Sequence, residues 1–159
     1  MDFSQGLSGS YREKNESSYL ICVRGNELPE ADFTTLTINN EQIVIDSSTG
    51  LVWQGIYTSK NWQQALEYCE NLTYAGYDDW RLPNKNELAS LLNYDKTSAP
   101  YSDFPDMPSG DIFLFWSSST LVLADSTNGA WSVNFNEGYV ASAYKTDYEY
   151  NYVRCVRSE

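Results

Sequence analysis

The stretch Gly76-Tyr-Asp-Asp-Trp-Arg-Leu-Pro-Asn-Lys-Asn-Glu-Leu88 constrains the fold of this chain more than any other. It holds a turn, a short apolar strand carrying Trp80 and Leu82, a break at Pro83 and a helix start. Asn84 can cap that helix, and Glu87 three residues on can reach back as the acidic half of a capping box. A helix is therefore predicted over roughly Lys85 to Asn93. Trp80 is large enough to anchor a core, and Arg81 beside it reads as a buried, paired cation in preference to a solvent-facing strand residue. No catalytic role follows from either.

Around this stretch the hydrophobic pattern sets out the remaining elements. Phe33 to Ile38 and Gln42 to Ile45 flank Asn39-Asn40, a hairpin signal. Asp46 to Gly50 is a turn and Leu51 to Trp53 a short strand. Thr58 or Ser59 is expected to cap a helix from about Asn61 to Leu72, in which Trp62, Ala65, Leu66, Cys69 and Leu72 fall at helical spacing as one buried stripe. Tyr94 to Gly110, rich in Pro, Ser and Asp, has no periodicity and reads as a long loop. Strands follow at Ile112 to Trp116, Leu121 to Ala124, Ala130 to Phe135, Tyr139 to Tyr144 and Tyr152 to Arg157, with turns at Asp125 to Gly129 and Asn136 to Gly138. Two early helices and a late meander of strands make an α+β domain, with the helices expected on one face of an antiparallel sheet.

Charge narrows the function. With 22 acidic residues against 10 Lys and Arg, the net charge is −12, which disfavours nucleic acid, sulfated polysaccharides and anionic membranes as partners. There is no His in the chain, which removes the usual general base and the commonest zinc ligand. No apolar run approaches the ~20 residues that cross a bilayer. The N-terminus lacks the layout of a secretory signal, so the protein is either cytosolic or exported with its signal removed. Thirteen Tyr and five Trp favour a β-rich binding module over a helical enzyme.

The two ends of the chain resemble each other. Phe3-Ser-Gln-Gly6 matches Phe135-Asn-Glu-Gly138, and Tyr11 to Arg24 matches Tyr144 to Arg157, so that Cys22 takes the place of Cys155. Residues 26–159 are then expected to form one complete unit, and residues 1–25 the closing strands and linker of a preceding, truncated repeat.

Six motifs occur in a single order: Asp46-x-x-Thr-Gly-Leu-Val-Trp53, Trp62-x-x-Ala-x-x-Tyr-Cys69, Gly76 to Leu88, Phe115-Trp-Ser-Ser-Ser119, Ala130-Trp-x-Val-x-Phe-x-x-Gly138 and Tyr152-Val-Arg-Cys-Val-Arg157. Over residues 42 to 157 the chain resembles the bacterial domain family typified by the C-terminal domain of the collagen-like adhesin Lcl. The resemblance implies a C-type-lectin-like fold, occurrence as tandem copies on exported or surface proteins, and a part in adhesion. It also implies a disulfide from the first helix to the last strand, the places held by Cys69 and Cys155, with reduced buried thiols as the alternative. A bridge would mean an oxidising compartment, extracellular, cell-surface or periplasmic. Cys22 would be left over, and residues 1–25 would offer a route to self-association by competing for the slot of Cys155.

The candidate ligands follow. Asp103, Asp106 and Asp111 cluster in the long loop as candidate calcium ligands. Their spacing fits no EF-hand, the Glu-Pro-Asn and Trp-Asn-Asp motifs of calcium-dependent lectins are absent, and a solvated acidic loop is the plainer account. Trp131-Ser-Val-Asn134 is the nearest approach, which makes Asn134 a candidate ligand residue. Tyr101, Tyr139 and Tyr144, with Tyr94, Tyr148 and Tyr150, could stack on sugar faces or anchor a protein partner. The Trp residues sit inside the family motifs and are assigned to the core. With Cys69 committed to a bridge and no marked carboxylate pair, no enzymatic activity is expected. The expected function is recognition or adhesion through a neutral glycan or a basic protein surface. An architectural repeat that stacks or exchanges strands is the alternative.

Overall fold

A computed structural model describes residues 31–108, 114–123, 126–146 and 151–159. The segment 1–25 with Cys22, and likewise Asp111, Tyr148 and Tyr150, lie outside the described residues. Strands β1 (Phe33–Ile38) and β2 (Glu41–Asp46) form the expected hairpin. Asn39 and Asn40 both take positive φ, 54° and 65°, the condition for a tight turn whose twist matches that of the strands. Strand β3 (Leu51–Gln54) follows the Asp46 to Gly50 turn. The buried Asp46 carboxylate holds that turn, accepting from the Ser48 amide and hydroxyl and the Thr49 hydroxyl.

Helix α1 runs Trp62–Glu70, and its cap is Asn61 rather than Thr58 or Ser59, which form the two-residue strand β4. Asn61 wins because Gln64, three residues on, completes the box: Asn61 Oδ1 accepts from the Gln64 amide at 2.9 Å and the Asn61 amide donates to Gln64 Oε1 at 3.3 Å. Ala65 and Cys69 are buried, and Trp62, Leu66 and Leu72 pack half-buried beside them, as the stripe requires. Helix α2, Lys85–Ala89, has the predicted Asn84–Glu87 capping box but ends four residues earlier than expected. Its chain continues in turns that bury Leu91 and Leu92.

The remaining strands are β5 (Leu114–Leu123), β6 (Ser126–Asn134), β7 (Tyr139–Tyr144), β8 (Asn151–Val153) and β9 (Val156–Ser158). Three sequence expectations change here. The stretches ending at Trp116 and starting at Leu121 belong to one long strand, interrupted by irregular pairing between Trp116 and Thr120. There the Ser117 hydroxyl donates to Trp131 O of β6 and the Ser119 hydroxyl accepts from the Lys85 amide, so Ser117 ties the two strands and Ser119 docks the start of α2. Residues Ser126 to Gly129, expected in a turn, extend β6. The single closing strand is two strands in two different sheets.

Those sheets run β1-β2-β3-β9 and β4-β8-β5-β6-β7, antiparallel throughout except for the parallel pair β5–β8. Consecutive strand residues face opposite sides, so Phe115 and Trp116 lie on opposite faces of the second sheet. Trp116 joins Ala130, Cys69 and Ala65 of α1 in one core, whereas Phe115 joins Val133 and Leu88 of α2 in another. The helices therefore do not share one face. The domain is α+β, as expected, with the five-stranded sheet between α1 and α2 and the four-stranded sheet contributing to both cores, through Ile43 and Val52 to the first and Val44, Leu51 and Trp53 to the second.

Candidate functional site

The junction of the two sheets is built around the corner Val153-Arg154-Cys155-Val156. Cys155 is bonded to Cys69 of α1, with 5.5 Å between Cα atoms and both residues fully buried. Arg154, also buried, turns the other way. Its guanidinium lies 4.5 Å from the Phe104 ring centre and 5.6 Å from that of Tyr57, and donates to the carbonyls of Gln54, Gly55 and Asp106. Burial pushes Arg154 down to about 10; three carbonyl acceptors and aromatic faces keep it charged at neutral pH. The cation expected at the core is thus Arg154. Arg81 is paired as expected, in a two-pronged contact with Glu87 at 2.7 and 2.8 Å, but its side chain is 41 % exposed because it lies at the rim of the turn that Glu87 caps.

Of the candidate ligand residues, Asn134 is fully buried and its Oδ1 accepts from the Asn136 and Glu137 amides, shaping the β6–β7 turn. Tyr101 is half-buried against Gly138, on the α2 side. Tyr139 pairs with Asn134 on the opposite face of the sheet. Tyr144 is 65 % exposed at the far end of β7, about 17 Å along the strand from Tyr139. The four do not converge on one surface. Asp103 accepts from Asn93 and, at 3.0 Å, from Lys96 Nζ; these contacts hold its carboxyl below the usual carboxylate range. Asp106 is exposed in left-handed backbone, with φ 57°. Among the described residues no three His, Cys, Asp or Glu side chains gather as a metal site.

What is brought together is a different set. Asn61, Trp62 and Gln63 at the start of α1, with Asn128 of β6 and Lys145 and Thr146 after β7, line an open groove of about 460 Å³. Lys145 is the node. Its amide donates to Asn128 O at 2.9 Å and its carbonyl accepts from the Trp62 amide at 3.1 Å. Its Nζ lies 4.3 Å from the Trp62 ring centre. The Trp62 indole is fixed in turn by donating from Nε1 to Ser117 O at 2.8 Å. Trp53, Trp80, Trp116 and Trp131 are buried as assigned, and Trp62 is the half-buried exception. Its helical stripe position masked this, since one edge of the ring serves the core while the other meets the groove.

Fold and groove together define a disulfide-clamped α+β domain with an amide-rich surface recess. The chain belongs to the Lcl C-terminal domain family, whose profile matches residues 42–157, from β2 through β9 with both bridged cysteines. No curated protein matches it.

Proposed function

We propose that the chain is a non-catalytic recognition module of an exported protein, at the cell surface or in the periplasm, with a C-type-lectin-like scaffold that binds a glycan or a protein surface. The observation that carries this reading is the buried Cys69–Cys155 bridge, since disulfides of this kind persist in oxidising compartments. A first helix tied to the closing strands, and two sheets meeting at that tie, support the scaffold assignment. The lack of His and the engagement of both described cysteines support a binding role over catalysis.

A glycan array probed with and without calcium, beside light scattering, tests it. Selective binding by a monomer is the expected result. Silence on glycans and on cell-surface protein extracts, with self-association, would replace it by the architectural reading. One observation favours that second reading: Thr34, Thr35, Leu36 and Thr37 in the middle of β1 are exposed and uncharged on an outer strand of its sheet.

A further inference from the structure

We propose that the groove lined by Asn61, Trp62, Gln63, Asn128, Lys145 and Thr146 binds a neutral glycan, with Lys145 as its central hydrogen-bond donor. The inference rests on the recognition reading above and gives it a place and a ligand class. At about 460 Å³ the groove has the size of small-ligand sites, roughly 300 to 1,000 Å³. No acidic residue lines it among the described residues. Three amide side chains and a hydroxyl each combine donor and acceptor, the pairing that sugar hydroxyls need. The Trp62 ring edge supplies an apolar strip beside them.

The groove is also set in advance. Lys145 ties β6 to α1 through its backbone and rests its ammonium on the Trp62 ring, 3.4 Å from Thr120 Oγ1. A long side chain already ordered this way loses little further freedom when a ligand arrives. At the start of α1 the Trp62 amide serves Lys145 O and the Gln64 amide serves Asn61 Oδ1, so two of its first amides are already engaged. The acidic chain as a whole repels anionic sugars at long range, which leaves neutral ones.

The full chain is titrated with lactose, chitobiose, maltotriose and mannobiose while its backbone amides are followed by NMR. At least one sugar is expected to shift Gln63, Asn128, Lys145 and Thr146 as a group. Gln63→Ala and Thr146→Ala, which leave both cores untouched, are each expected to weaken that sugar about 2- to 10-fold. Lys145→Met keeps the apolar stem over Trp62 and is expected to weaken it about tenfold or more; if it loses amide dispersion, the other two variants decide. Sugar binding that shifts other residues and is indifferent to all three changes overturns the groove and leaves the recognition reading standing. No shift with any sugar overturns the groove as well and leaves that reading with a protein partner alone.

Discussion

At the scale of single residues, Arg154 is the clearest case of structure exceeding sequence. Three carbonyls, from Gln54 at the end of β3, Gly55 and Asp106, accept from it, and removing it takes that donor from the buried Gln54 and Gly55. Arg154→Met is expected to cost roughly 3 to 5 kcal/mol in urea denaturation, and Arg154→Lys nearly as much, because a point ammonium cannot reach the same three acceptors. Cys-Val-Arg and its neighbours were visible as a motif, but the sequence carries no sign of which arginine turns inward. Arg81 sits beside a core Trp and looks equally suited; the difference is that a carboxylate six positions away draws it to the rim. Gly138 is a simpler matter. It holds φ 75°, and a Cβ there would meet Tyr101 Cγ at 2.8 Å, so Gly138→Ala is expected to lower stability by about 1 to 3 kcal/mol, read from the thermal midpoint. The turn was legible from Asn136-Glu-Gly138, whereas the tyrosine pressed against it was not.

At the scale of elements, the capping boxes were readable and the ends of helices were not. Asn84 and Glu87 do what their spacing promised, and Glu87 also holds Arg81. Burial works to raise the Glu87 carboxyl, yet the hydrogen bonds from Arg81 and the Asn84 amide outweigh it and leave it below its usual value. A carboxyl depressed in the folded state stabilises above its unfolded pKa and loses that contribution as pH falls through the folded one. Unfolding followed from neutral pH to about pH 3 is therefore expected to show stability falling with acid, and Glu87→Gln to flatten the fall. At neutral pH that change is expected to cost only about 0.5 to 1 kcal/mol, because water reaches the partly exposed Arg81 and screens the pair. Helix α1 shows why boundaries slip. Thr58, Ser59 and Asn61 are all competent caps; Gln64 favours Asn61, and pairing of Thr58 and Ser59 with β8, 92 or more positions later, removes the other two. The groove was less legible still. Its one sequence signal is a basic residue after Tyr in the two similar ends of the chain, Arg12 and Lys145, which pattern reading gives no reason to separate from a solvated strand end.

At the scale of the whole molecule, the α+β class and the family were readable from ordered motifs, and the layering was not. Alternation says that Phe115 and Trp116 face opposite ways, but not that each side has its own helix. Within the first of these cores Cys69 and Cys155 join across 86 positions. On the chain-entropy account, opening a loop of this length costs roughly 4 to 5 kcal/mol. Cys69→Ala with Cys155→Ala is expected to lower the urea midpoint accordingly, and reductant to leave that variant unchanged while bringing the parent down to it.

The split of the closing segment between two sheets bears on synthesis. β8 supplies the partner of β4, and β9 the partner of β3, so each layer waits on strands made after all its other elements. A nascent chain halted before Asn151 would hold both hydrophobic cores unsealed, since Val153 and Cys155 of the one and Val156 of the other would still be missing.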